Sequence, residues 1–180
     1  MLSNIVKANL YLKTFGLFKI PLLWFCRPKI VFLNEESVEI KIPLKRRTKN
    51  HLNSMYFGAL SVGADITGGF LAMMCIQKSK QKVALIFKDF KADFLKRAEG
   101  DVHFECNQGL EISQLVEKTI KTGQRENMIV YIDAKVPSSR RIKATVSFTD
   151  DTYVLIHPPK IDDLDPLKVV MDTQRVIANA

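Results

Sequence analysis

The chain has 180 residues, 47% of them hydrophobic, which is enough for one core with a few appendages. Its 27 Lys and Arg against 19 Asp and Glu give a net charge of +8, so an anionic partner such as a phosphate-bearing ligand is favoured over a cationic one. Cys26, Cys75, Cys106, His51, His103 and His157 are scattered without C-x-x-C or paired spacing, which argues against a disulfide framework and a local zinc site and fits a reducing cytoplasm.

The predicted elements follow in chain order. Ile5, Leu10 and Leu12 stand among lysines, and Gly16 and Pro21 punctuate the apolar run to Cys26, so one or two short helices are expected there. Lys7, Lys13 and Lys19 interrupt the apolar runs and no small-residue cleavage site follows Trp24 and Phe25, so the segment reads as an amphipathic helix and not as a signal peptide. Val38, Ile40 and Ile42 alternate with polar residues up to Pro43, the pattern of a half-buried strand. A basic loop, Lys45 to Lys49, leads to a long helix, expected to be capped by Asn53 or Ser54 and to run to about Gln77. That helix is long enough to span a bilayer. Asp65 near its centre cancels much of the insertion energy, so a buried core helix is expected and no integral membrane segment.

Val83, Leu85 and Phe87 alternate, and Phe90, Ala92 and Phe94 continue one residue out of step. A bulge near Lys88-Asp89 would absorb the slip, and a turn at Gly100 would then lead into Val102, Phe104 and Cys106 as a hairpin. Leu110 to Ile120 shows helical spacing, with Gly123 placed for a left-handed cap. Met128 to Val136 and Ile142 to Phe148 alternate as strands on either side of Pro137-Ser138-Ser139, Tyr153 to Ile156 is a further strand, and Asp165-Pro166 opens a short terminal helix. The order is strand, long helix, then about four antiparallel strands. An α+β fold follows, with a sheet covering one buried helix.

From Met55 to Ile76 the only charged residue is Asp65, and an ionisable group in such a helix demands a reason. Gly68 and Gly69 lie three and four residues beyond it, on the same side of the helix, and are expected to leave room beside the carboxylate for a ligand or water. Amides at the helix start suit an oxyanion. A carboxylate in a dry setting has its pKa raised toward neutrality, as a general base or nucleophile needs. A structural role is also open, in which Asp65 bonds to a neighbouring strand or a second copy and the glycines only let a sheet approach.

The run Asn50-His51-Leu52-Asn53-Ser54-Met55-Tyr56-Phe57-Gly58 through Asp65 resembles the hotdog-fold thioesterases of the phenylacetate-pathway (PaaI-like) type. Their pattern is Asn, a short gap, His-Gly-Gly, then an acid seven residues after the second Gly. Phe94-Leu95-Lys96-Arg97-Ala98-Glu99-Gly100-Asp101 is similar to the turn between that family's second and third strands. The chain looks closest to a thioesterase-like branch with an N-terminal helical arm. The resemblance implies a hotdog fold, an antiparallel sheet wrapped around a central helix with added N-terminal, inserted and C-terminal helices. It divides the chain into an arm at 1–30, a hotdog domain at 31–157 and a tail at 158–180.

It further implies a homodimer or tetramer with sites at the interface and an acyl-coenzyme A or acyl-carrier-protein thioester as substrate, hydrolysed without a cofactor or metal. By position, Asp65 would activate water or attack the thioester, the Gly58 amide would bind the carbonyl oxygen, and Asn50 would orient substrate or water. Tyr56 and Phe57 replace the motif's His and first Gly, and Phe87 lies near a position where relatives carry Ser or Thr. Tyr56, Phe57, Gly68 and Gly69 would line the acyl site, with Arg46, Arg47, Arg140 and Arg141 available to coenzyme A phosphates. A noncatalytic protein holding an acyl group, a lipid or coenzyme A in the same cavity is the alternative. A single Trp and core-periodic aromatics leave little for base stacking, so nucleic acid is not expected as a partner.

Overall fold

The computed structural model describes residues 4–88, 90–94, 96–137, 145–150 and 174–178, the last two spans as backbone strands. Helices α1 (Asn4–Phe18) and α2 (Pro21–Cys26) precede strands β1 (Lys29–Leu33) and β2 (Val38–Ile42). The long helix α3 (Phe57–Ser79) is followed by β3 (Val83–Phe87), β4 (Lys91–Asp93), β5 (Val102–Cys106), α4 (Gly109–Thr122), β6 (Val130–Lys135), β7 (Thr145–Asp150) and β8 (Gln174–Ala178). Six strands form one antiparallel sheet in the order β1-β2-β5-β6-β7-β4, and β3 pairs with β8 in a separate ribbon.

Alternation places the core. Val38, Ile40 and Ile42 of β2, Val102, Phe104 and Cys106 of β5, and Val130, Ile132 and Ala134 of β6 are buried on one face, and that face packs on α3. The intervening residues pair on the other side, Glu39 in hydrogen-bond contact with His103 and Glu105 in an ion pair with Lys135. The expectation of a sheet wrapped on one buried helix is met. By length and composition α3 is apolar enough to cross a membrane, but its most apolar stretch is 67% buried within the protein, as befits a core helix.

Several local expectations are corrected. The helix starts at Phe57, after an extended Tyr56 with no side-chain cap, because the side-chain oxygen of Asn50 accepts the Leu52 and Ser54 amides and ties Asn53 and Ser54 into a turn. The slip between Phe87 and Phe90 is not a bulge within one sheet. There the chain changes sheets, since a one-residue shift of register would turn the wrong side chains inward. Nor do β4 and β5 form a hairpin: β4 pairs with β7 at the sheet edge, and β5 lies between β2 and β6. The strand β1 was not anticipated. The Gly123 cap is as expected, with φ 64°. The turn at 138–139, the strand at 153–156 and the helix opening at Asp165 lie outside the described residues.

Asp101 joins the end of β2 to the start of β5. Its carboxylate accepts the Leu44 amide at 2.9 Å and the Lys41 ammonium at 3.0 Å. Asp101→Ala orphans that amide and is expected to cost about 1–2 kcal/mol. Thermal unfolding would register it as a fall of a few degrees in Tm.

Candidate functional site

The start of α3 is held by two backbone hydrogen bonds and one from a side chain. The Met55 amide donates to the Ala98 carbonyl at 2.8 Å, the Tyr56 amide donates to the Thr48 carbonyl at 2.8 Å, and the Arg97 guanidinium reaches the Leu52 carbonyl. Thr48, itself buried, donates its hydroxyl to the Pro43 carbonyl at 2.6 Å and so fixes the basic loop. Arg97 and Ala98, from the stretch singled out in sequence as a turn, are therefore a buttress for the helix start. With no side-chain cap, the Phe57 and Gly58 amides have no acceptor among the described residues. They point out of the positive end of a 23-residue helix.

Asp65 lies seven residues beyond Gly58, which is close to two full turns, so the two share a face about 10 Å apart along the axis. Ser61 sits between them on that same stripe, with its hydroxyl donating to the Phe57 carbonyl at 3.2 Å. All three are half-buried, whereas Ala64, Ile66, Thr67 and Phe70 are fully buried. Asp65 makes no hydrogen bond or ion pair with any described residue. Burial alone raises its pKa to about 6.

The room expected at Gly68 and Gly69 is taken. A Cβ on Gly68 would come within 3.2 Å of Ile132 Cδ1, and one on Gly69 within 2.9 Å of Phe87 Cζ. Both glycines serve close approach of the sheet and of β3, and neither forms a hollow beside the carboxylate. At Gly58 the open side is crossed by the Tyr56 ring, 2.7 Å from where a Cβ would stand. Phe57 is exposed and meets Phe94 edge-on, ring centroids 5.6 Å apart. Asn50 spends its side chain on the local turn, its amide donating to Ser54 Oγ at 3.1 Å. The site stripe is thus Gly58, Ser61 and Asp65, bordered by Tyr56 and Phe57. Ser61 was missed, although its position four residues before Asp65 was the available signal.

Arg46 and Arg47 belong to a separate cleft of about 750 Å³, lined also by Phe25, Arg27, Pro43 and Lys45. Arg47 lies over the Phe25 ring at 5.4 Å. None of the four cations forms an ion pair among the described residues, which leaves a site suited to phosphate or carboxylate beside an aromatic face. Phe25 comes from the end of α2 and Arg27 caps that helix, and neither could be grouped with the loop by sequence spacing. Arg140 and Arg141 lie outside the described residues. No group of three or more metal-ligating side chains is found among the described residues.

The family described as "Domain of unknown function (DUF4442)" matches residues 9–154. No curated protein matches the chain in sequence. Among solved structures, a Chlorobaculum tepidum protein of unknown function superposes with a TM-score of 0.72 at 12% identity, covering 97% of each chain. A Pseudomonas aeruginosa protein of unknown function, described as a probable thioesterase, gives 0.67 at 17% identity over 99% of each chain. A Haemophilus influenzae thioesterase gives 0.55 at 12% identity, covering 99% of this chain and 93% of its own. At such identities the likeness concerns the fold, and the fold is the hotdog.

Proposed function

The chain belongs to the DUF4442 family, and we propose that it is a thioester hydrolase of the phenylacetate-pathway kind, acting on an acyl-coenzyme A or acyl-carrier-protein thioester. The observation that carries this reading is the desolvated Asp65, with no partner among the described residues, on the face of α3 that also carries Gly58, whose amide has no acceptor among them. A carboxylate with its pKa near 6 is ionised at neutral pH yet a stronger base than an ordinary one. It would take a proton from water as the water adds to the thioester carbonyl. The developing oxyanion would be held by the Gly58 amide, and the C–S bond would then break, the departing sulfur taking the proton back from the Asp65 carboxyl to leave as the thiol. The Arg46 and Arg47 cleft would take the phosphates of the carrier. The likeness in fold to thioesterases supports the reaction class.

A separation of about 10 Å along one helix is too long for Gly58 and Asp65 to act on a single carbonyl. In this reading the chain is a homodimer, each site taking Asp65 from one copy and Gly58 from the other. Binding of an acyl group without turnover is the second reading, favoured by the Tyr56 ring that crosses Gly58.

Release of free thiol from a panel of acyl-coenzyme A esters separates the two readings, because a binding protein would show none. Mixing then tests the shared site. Asp65→Asn and Gly58→Pro, the latter deleting an N–H in the first helical turn where proline is tolerated, are each expected to be inactive. Unfolded and refolded together, they should regain about a quarter of wild-type activity, since half the dimers are mixed and each mixed dimer has one intact site. No recovery would place both groups in one chain.

A further inference from the structure

We propose that the N-terminal arm docks on an anionic lipid surface, independently of the reaction assigned above. On α1 the core-facing line is Ala8, Leu12 and Gly16, all buried. Val6, Leu10 and Leu17 project from the opposite side at helical spacing and are exposed. A helix with two apolar faces has one to spare once the first is packed. Phe18, the last residue of α1, is 76% exposed, and Leu22 and Trp24 of α2 are exposed as well.

Charge selects the occupant. The first 34 residues contain no Asp or Glu and carry Lys7, Lys13, Lys19, Arg27 and Lys29. None of these five forms an ion pair among the described residues. Lys13 and Lys7 flank the Val6, Leu10 and Leu17 stripe on either side by helical spacing. Apolar side chains with Trp among them, rimmed by unpaired cations, match the boundary between acyl chains and acidic headgroups. A second copy fits poorly. A two-fold interface would place this patch against itself, bringing cation to cation.

Trp24 is the only tryptophan in the chain, so its fluorescence reports on the arm alone. The full-length protein is titrated with vesicles of phosphatidylcholine containing roughly one-third phosphatidylglycerol, and with vesicles of phosphatidylcholine alone. A blue shift with sedimentation is expected with the anionic vesicles and not with the neutral ones, weakening more than tenfold as salt is raised from ~50 to ~300 mM. Lys7→Gln with Lys13→Gln should weaken partition by roughly fivefold per cation removed, and Leu10→Ser with Leu17→Ser should abolish the shift. These positions are exposed, so circular dichroism and Tm should be unchanged. Three results would overturn the proposal: no shift on anionic vesicles, equal partition to neutral ones, or a blue shift without lipid that grows with protein concentration. The last would mean a second copy covers the patch.

Discussion

Asp65→Asn is expected to lower kcat/KM for thioester hydrolysis by two to four orders of magnitude, the usual contribution of a positioned general base, while making the protein more stable at pH 7. The two effects have one cause. Burial raises the folded-state pKa of Asp65 to about 6 from the ordinary 3.8, so between these values the folded chain holds a proton that the unfolded chain has released. The stability contributed by the neutral acid is therefore full below about pH 4. It is lost as pH rises toward 6, where the carboxylate becomes charged in a dry setting. With allowance for partial exposure, the loss is on the order of 2 kcal/mol.

Asparagine has nothing to ionise. Its Tm should match that of wild type near pH 4 and exceed it by several degrees above pH 6. In the wild type, kcat/KM should rise through an apparent pKa near 6 and level off above it. Unchanged turnover in Asp65→Asn would remove the carboxylate from the reaction. A Tm difference that does not vary with pH would show that Asp65 is not desolvated.

Gly63→Ala should destabilise the fold by about 2 kcal/mol, although alanine is the better helix former by about 1 kcal/mol. The reason is the buried Phe104 ring, which an added Cβ at position 63 would overlap. Phe104 cannot swing away, because it is fully buried between α3 and the centre of the sheet. Thermal unfolding should show Tm lower by about 4–8 °C. Phe104→Leu opens space at the same point, so Gly63→Ala with Phe104→Leu should lose less than the two single changes added together, with a coupling of about 1 kcal/mol or more. Simple additivity would mean the helix and sheet do not meet at this glycine.

What the sequence determined by itself is what depends on near neighbours. Alternation at Val38–Ile42 and Val130–Lys135, helical spacing between Leu110 and Ile120, and the Gly123 cap all follow from one-residue and one-turn geometry. So does the isolation of Asp65 in an apolar helix, since burying that helix dries its one carboxyl. Pairing was decided only in the tertiary structure. That β3 joins β8, that β4 joins β7, and that β5 enters the sheet centre depends on contacts between residues far apart in the chain. The same is true of Gly68 and Gly69, which look like vacant space in sequence and are closed by Ile132 and Phe87. The cationic cleft forms because α2 brings Phe25 and Arg27 to a loop some twenty residues later. Backbone periodicity is a local property, whereas packing is set by whichever distant surface arrives first to exclude water.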